Sequence, residues 1–240
     1  MAVYSYILLF FIFFSISALV YFLLINQGST EVTTGNFNSF IGNEIINSHV
    51  DYTKYIIRAQ EKVSNIIIED ITIPLDIRMY TLGENVLAQA SMKDPNNIRA
   101  GGTIVLNNIT LSNQERWVNI IVHEIFHVLG LGTSEKWNDG VVNVNGHNFL
   151  DRTLFPRAGL KYDGFINDGL VIGQTGDNIP LSDNHDSFPD GGAHLDENIF
   201  DVEVMTPIAD NENVISSLSI AILEDLGFEV SYNSNEDYLL

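Results

Sequence analysis

Two histidines and a glutamate lie close together in the segment HEIFH, which runs from His123 to His127. Residues four apart on a helix share one face, so the imidazoles of His123 and His127 can converge on one ion. Zinc binds neutral imidazole nitrogens in tetrahedral geometry. Glu124 projects beside such an ion, where its carboxylate can accept a proton from a metal-activated water and pass it to a leaving amine. The segment therefore predicts two metal ligands and a general base.

A bare HExxH pattern also arises by chance, and a histidine in a buried helix is usually a hydrogen-bonded core residue. The residues around this motif, however, are apolar on almost every side of the predicted helix, so the helix should be buried. They are Trp117, Val118, Ile120, Ile121, Val122, Ile125, Phe126, Val128 and Leu129. Three polar groups buried without a function would be costly, which favours the metal site.

The longer segment HEIFHVLGLGT resembles the metzincin motif, in which a glycine after the second histidine ends the helix and turns the chain toward a third ligand. Most metzincins carry that third histidine three residues beyond the glycine, where this chain has Thr133. The leishmanolysin-like branch carries a long insertion instead, and the sequence resembles that branch. GGAHLDENIFDVEVMTP (191–207) is similar to its third-ligand segment and Met-turn, and SSLSIAILEDLGF (216–228) to its closing helix.

The resemblance implies one catalytic Zn²⁺ held by His123, His127 and His194, with Glu124 as general base. Gly191 and Gly192 favour His194, since glycines let the backbone approach a metal closely. The other candidates are His147, His185 and His49. His147 and His185 lie in polar stretches that indicate exposed loops, and His49 lies before the predicted strands.

Further roles follow from the same resemblance. Gly130 would form the turn after the helix, and Met205 the hydrophobic floor under the metal. VLAQAS and GGTIVLN resemble the metzincin edge strand and the strand beside it, so an extended substrate would pair along the edge residues Leu87, Ala88, Gln89, Ala90 and Ser91. Leu195 takes a place often held by an aromatic residue, which leaves substrate preference open.

Hydrophobic periodicity predicts the elements that position these residues. One or two helices are expected within 36–68, and strands at Leu75–Leu82, Val86–Ser91 and Thr103–Asn107. The fold class is therefore α+β. The resemblance implies a metzincin-like zincin, with a twisted mixed sheet and a buried active-site helix in the N-terminal lobe and a loop-rich C-terminal lobe ending in a helix.

Local signals predict where the two main helices begin and end. Ser112 followed by Glu115 fits a capping box that opens the active-site helix, and Gly130 with Gly132 ends it. The closing helix should run over 216–226.

The chain divides into three predicted parts. Residues 1–27 form a transmembrane anchor or signal segment, and 28–35 a short tether. Residues 36–240 form the metallopeptidase domain, with an N-terminal lobe over about 36–132 and a C-terminal lobe over about 133–240.

The N-terminal segment is apolar from Ile7 to Ile25, which is long enough to cross a bilayer as a helix. No basic stretch precedes it, so an uncleaved anchor is favoured over a cleaved signal peptide. The sequon at Asn108 fits a lumenal or extracellular domain, secreted if the segment is cleaved.

Composition excludes several kinds of function. The net charge is −20, and 162–240 contains no Lys or Arg against seventeen Asp and Glu. Such a surface repels phosphate backbones, so we expect no nucleic-acid partner. Calcium or basic peptides stay possible ligands of this half, although no calcium-loop motif occurs. The chain has no cysteine, which excludes thiolate metal sites, disulfides and cysteine nucleophiles.

The expected function is that of a zinc metalloendopeptidase acting on a peptide or protein substrate, tethered to a membrane by its N-terminal segment. The alternative is a catalytically silent binding or adhesion module on the same fold, although such a module would not need Glu124. A zinc peptidase with Glu224 as third ligand fits the sequence less well. No G-x-S-x-G elbow is present, which disfavours a serine hydrolase, and no sequence signal indicates an oligomeric state.

Overall fold

A computed structural model describes residues 29–183 and 191–234. Within these ranges the chain forms a five-stranded mixed sheet. Its strands are β1 (Ser29–Thr34), β2 (Phe37–Gly42), β3 (Ile73–Tyr80), β4 (Ala88–Met92) and β5 (Gly102–Asn107). Their order is β1-β2-β3-β5-β4, and β3 pairs in parallel with both of its neighbours. The outer pairs, β1–β2 and β4–β5, are antiparallel.

Seven α-helices and a small second sheet complete the described part of the chain. The helices are α1 (Asn43–Ile46), α2 (Tyr52–Ser64), α3 (Arg116–Val128), α4 (Glu135–Gly140), α5 (Pro156–Asn167), α6 (Glu197–Phe200) and α7 (Ser217–Leu226), and a 3₁₀ turn follows at Tyr232–Ser234. The small sheet has the strands β6 (Val141–Val144), β7 (His147–Leu150) and β8 (Ile179–Pro180). The predicted α+β class with a mixed sheet is confirmed.

Helix α3 lies in the centre of the molecule because nearly all of its circumference is apolar. It packs against α2 and against strands β4 and β5. Trp117, Ile121, Ile125 and Phe126 are completely buried. The predicted burial of this helix is therefore confirmed, and its polar residues must be accommodated within the core or at a cavity.

The first two strands correct the sequence prediction. One or two helices were predicted within 36–68, and α1 and α2 lie there, but Phe37–Gly42 forms β2, in which Phe37, Ser39 and Ile41 are buried in alternation. Apolar residues at positions 37, 40, 41, 45 and 46 fit a helix as well as a strand followed by a helical turn. The range 28–35, predicted as a tether, contains β1, which pairs along the whole length of β2.

The start of α3 also differs from the prediction. The helix begins at Arg116, and Ser112 does not cap it. The side chain of Asn113 accepts the backbone N–H of Glu115 instead, at 3.1 Å. The carboxylate of Glu115 turns away to pair with Arg58, so it does not reach back as a capping box requires. The predicted stop at Gly130 is confirmed, since α3 ends at Val128.

The second lobe is more regular than the loop-rich region that we predicted. Its longest unpredicted element is α5, which starts at Pro156 and contains Gly159 and Gly164. Proline at the first helical position is favourable, but two glycines lower the intrinsic helix propensity of the segment. Helix α7 is as predicted, with Ser216 as its N-cap and Gly227 in the left-handed conformation at its end.

The predicted anchor or signal segment, 1–27, lies outside the described residues. Across 29–183 and 191–234, no helix has the length and apolar character needed to span a membrane.

Asp225 on α7 fastens helix α5 to the core. Its buried carboxylate accepts the backbone N–H groups of Arg157 (3.2 Å) and Ala158 (2.9 Å), in the first turn of α5. We expect Asp225→Asn to lower the free energy of unfolding by about 1–2 kcal/mol, the usual worth of a helix N-cap. Asp168→Asn, at the exposed end of the same helix, is the control and should change it by less than about 0.5 kcal/mol. Denaturant unfolding measures both, and equal effects would contradict this role of Asp225.

Candidate metal centre

Helix α3 presents His123 and His127 on the same face, one turn apart. Their Nε2 atoms are 3.0 Å from each other. The Nε2 atom of His194 lies 3.2 Å from that of His123 and 3.0 Å from that of His127. The three nitrogens therefore form a nearly equilateral triangle, built from two residues of one helix and one residue 67 positions later.

His194 reaches this position at the end of a glycine turn. Gly191 and Gly192 both have positive φ, +58° and +89°. The carbonyl oxygen of Gly192 accepts the indole N–H of Trp137, at 3.0 Å. The carbonyl of His194 accepts the N–H of Ser182 at 2.9 Å, which holds the segment from its other side.

Backbone carbonyls determine the tautomers of two of these histidines. Nδ1 of His123 lies 2.6 Å from the carbonyl oxygen of Val204, and Nδ1 of His127 lies 2.7 Å from that of Leu131. A carbonyl oxygen can only accept, so each Nδ1 must carry the hydrogen and donate. In a neutral imidazole, Nε2 then carries no hydrogen, and its lone pair is directed at the other histidines.

Burial keeps both rings neutral. Desolvation, reinforced by the neighbouring His194, lowers the pKa of His123 to about 3. Desolvation together with His123 and His194 lowers the pKa of His127 well below its ordinary value. Two lone pairs thus face each other at 3.0 Å with no proton between them. That arrangement is repulsive unless a cation lies among the nitrogens, and imidazole nitrogens are ligands that zinc accepts.

Glu124 lies beside the histidines and has an unusual environment for a carboxylate. It is 5% exposed, and burial raises its pKa to about 8. Its Oε2 atom is buried and makes no hydrogen bond to any described residue. An unsatisfied buried carboxylate is costly, so its retention indicates a function in the cavity that it lines.

The histidines and Glu124 open onto a cavity of about 810 Å³. The segment from Glu84 to Ala90 lines this cavity, and so do Val204 and the residues from Thr206 to Ala209. Arg116 lies at the cavity and donates to the backbone carbonyls of Ala209 and Asp210.

Strand β4 forms an edge of the main sheet. It pairs with β5 on one side, and no described strand pairs with its other side. Of the residues predicted to bind substrate, Leu87, Ala88, Gln89 and Ala90 line the cavity, whereas Ser91 is not among its lining residues. The position of the strand fits the prediction, and its role in binding a substrate stays a prediction.

The turn after α3 lies against the segment that precedes His194. Gly130 has φ +108°, as the predicted turn requires, and Gly132 has φ +74°. A Cβ atom on Gly132 would lie 2.2 Å from the carbonyl oxygen of Ala193 and 3.1 Å from Cε1 of His127. Gly132 therefore allows the backbone before His194 to approach the helix that carries the other two histidines.

Met205 lies in a buried turn that contacts two of the histidine segments. Its side chain is 1% exposed, and its carbonyl accepts the N–H of Leu195 at 3.0 Å. Val204, the residue before it, supplies the carbonyl that orients His123. The role of Met205 as a hydrophobic floor beneath an ion stays a prediction.

Two contributors to this site were not predicted. One is Glu203, a completely buried carboxylate in the turn that contains Met205. Burial raises its pKa, and hydrogen bonds from Ser219, Met205 and Ser216 oppose that shift. The other is the pair of carbonyls, from Leu131 and Val204, that orient the imidazoles. Backbone groups give no residue-type signal in the sequence. Glu203 lies 13 and 16 residues before Ser216 and Ser219, whose hydroxyls donate to it.

The remaining histidines do not join the centre where they are described. His147 lies on β7, is exposed, and its Nδ1 is 2.7 Å from the carboxylate of Asp183. His49 is exposed. His185 lies outside the described residues.

No protein-family model matches the chain, and a search of curated proteins found no match either. The functional argument therefore depends on the residues of the site.

Gly132→Ala should weaken zinc binding by about tenfold or more, the scale expected when the support of a ligand is disturbed. The added Cβ would displace the backbone that carries His194. Gly146→Ala is a matched control, because Gly146 also has positive φ (+92°) but open space around its Cβ position. Both variants carry the backbone strain of a left-handed residue, and only the first carries the clash. Zinc affinity, measured by competition with a chromophoric chelator, should separate them; equal affinities would contradict the role of Gly132.

Proposed function

We propose that the protein is a zinc-dependent endopeptidase of the metzincin type, similar to the leishmanolysin-like branch. One observation carries the proposal: three imidazole Nε2 atoms lie 3.0–3.2 Å apart beside a buried glutamate that lines a cavity. The tautomers of His123 and His127 support it further, since they direct two lone pairs toward the same point. The order of the ligands along the chain, with His194 just after a glycine turn, agrees with the family resemblance.

Glu124 is the proton carrier in the proposed reaction. A zinc ion held by the three histidines would lower the pKa of a water molecule and polarise the scissile carbonyl. Glu124 accepts the proton from the attacking water and delivers it to the nitrogen of the leaving amine. Among the described residues no hydrogen-bond donor reaches its Oε2 atom, which supports this role, because that oxygen can accept a proton without breaking a hydrogen bond.

The cavity supports a peptide as substrate. An edge strand offers unpaired backbone N–H and C=O groups, and an extended peptide can add to it as a further strand. Strand β4 presents such an edge along the same cavity that contains Glu124 and His123. A substrate bound there would have its backbone held by hydrogen bonds to the strand, while its side chains contact other lining residues such as Thr206, Pro207 and Ile208.

Glu124→Gln should leave the fold and the zinc content unchanged and lower peptidase activity at least about 10²-fold, the usual contribution of a general base. The amide has nearly the same shape but cannot accept the proton. Zinc content is measured by atomic absorption, and activity with a mixture of peptides in the presence and absence of a chelator. A zinc-replete wild-type protein that cleaves no peptide would favour the silent binding module. Equal turnover by the two proteins would refute Glu124 as the base.

His194→Ala should weaken zinc binding more than about 100-fold, beyond the 10–100-fold usual for loss of an outer-shell partner. His147→Ala is the control, because His147 is exposed and pairs with Asp183. Its zinc affinity should equal that of the wild type. Zinc affinity of both variants is measured by chelator competition, and a His194→Ala protein with wild-type affinity would show that the third ligand lies elsewhere.

A further inference from the structure

Glu203 has no contact with the cavity, yet it is among the most completely buried charged groups in the described chain. It is 0% exposed. Its Oε1 atom accepts the hydroxyls of Ser216 (2.9 Å) and Ser219 (2.6 Å) and the backbone N–H of Ser216 (3.4 Å). Its Oε2 atom accepts the backbone N–H of Met205. Every one of these partners is a donor, so the site is built for an acceptor-only carboxylate.

The groups held by Glu203 belong to two different elements. Met205 lies in the turn formed by residues 203–206, which we call the Met205 turn. Ser216 and Ser219 lie at the N-cap and in the first turn of α7. The Ser216 hydroxyl also accepts the N–H of Ser219 at 3.4 Å, so it relays between the helix backbone and the carboxylate. Glu203 thus fastens the Met205 turn to the N-terminal end of α7.

The Met205 turn in turn contacts the segments of two histidines. The carbonyl of Val204 accepts Nδ1–H of His123, and the carbonyl of Met205 accepts the N–H of Leu195, the residue after His194. The third histidine, His127, is oriented by Leu131 and is independent of this turn. Movement of the turn would therefore rotate His123 and shift His194 while leaving His127 in place.

Stability alone does not account for a carboxylate at this position. A buried charge is costly even when it is fully hydrogen-bonded, and apolar residues of similar volume are often as stabilising. What the carboxylate supplies is a rigid four-donor connection between two backbone segments. From this geometry we infer that Glu203 is a positioning residue of the metal centre: it holds the Met205 turn at the distance from α7 that aligns His123 and His194. The inference rests on the proposed zinc site.

The test uses the full-length chain, purified in a mild detergent, with Co²⁺ as a spectroscopic probe and Zn²⁺ in competition. Glu203→Gln replaces an acceptor by an NH₂ group directed at donors. It should weaken Co²⁺ and Zn²⁺ binding about tenfold and change the visible absorption of the Co²⁺ protein, because that absorption depends on ligand geometry. Asp225→Asn is the matched control, since it neutralises another buried carboxylate of the same region that does not contact the Met205 turn. It should lower stability while leaving the Co²⁺ spectrum and both affinities unchanged.

A second variant covers the case in which Glu203→Gln does not fold. Ser216→Ala combined with Ser219→Ala keeps the carboxylate but removes two of its donors, and it should produce the same spectral change to a smaller extent. Unchanged affinity and spectrum in every folded variant would overturn the inference and leave the proposed function intact. An effect of equal size in Asp225→Asn would also overturn it, since the loss would then follow general stability. A wild-type protein that binds neither ion would refute the zinc site itself, and the role of Glu203 with it.

Discussion

Three imidazole Nε2 atoms that lie 3.0–3.2 Å from one another impose a constraint on most of this structure. A hydrogen bond from Nδ1–H fixes the orientation of an imidazole ring. It also fixes the tautomer in which the lone pair of Nε2 is available to a metal. Two backbone carbonyls perform this function, from Leu131 and Val204. Each carbonyl lies in a turn that must itself be held rigidly. The first lies three residues after the end of α3, and the second belongs to the Met205 turn, so the proposed metal centre of three side chains depends on two distant backbone segments.

The segment before His194 lies close to the turn after α3 because a glycine is present at the point of contact. Gly132 lies against the carbonyl of Ala193, at a separation that a Cβ atom would not permit. Trp137 adds a hydrogen bond to the carbonyl of Gly192 from the next helix. These two contacts hold the segment before His194 from α3 and from α4. The segment after His194 is held by Met205 through Leu195. His194, the proposed third ligand, is thus held on both sides. The turn after α3 and α4 hold the residues before it, and the Met205 turn holds the residue after it.

The sequence predicted those parts of the fold whose signal is local. Periodicity identified the strands near β3, β4 and β5, and helical spacing before Gly227 identified α7 to within one residue. It mispredicted β2, since short apolar runs fit both periods, and it missed α5, whose glycines obscure the helical pattern. The histidine triangle was predicted through the motif and the resemblance. The carbonyls that orient the rings and the four donors to Glu203 were not, because backbone groups give no residue-type signal and the contacts join residues 2 to 81 positions apart.

The two buried glutamates, Glu203 and Glu124, differ in how completely their carboxylate oxygens are hydrogen-bonded. Burial raises the pKa of both, so neither is an ordinary surface acid. Glu203 compensates the loss of water with hydrogen bonds from four donors, and these bonds oppose the rise in its pKa. Glu124 has one oxygen without a partner, in the wall of the cavity. A site that only bound metal for stability would gain from an apolar residue at position 124. The unsatisfied oxygen is costly in the resting protein, and it is intelligible if its partner arrives with the substrate and the attacking water.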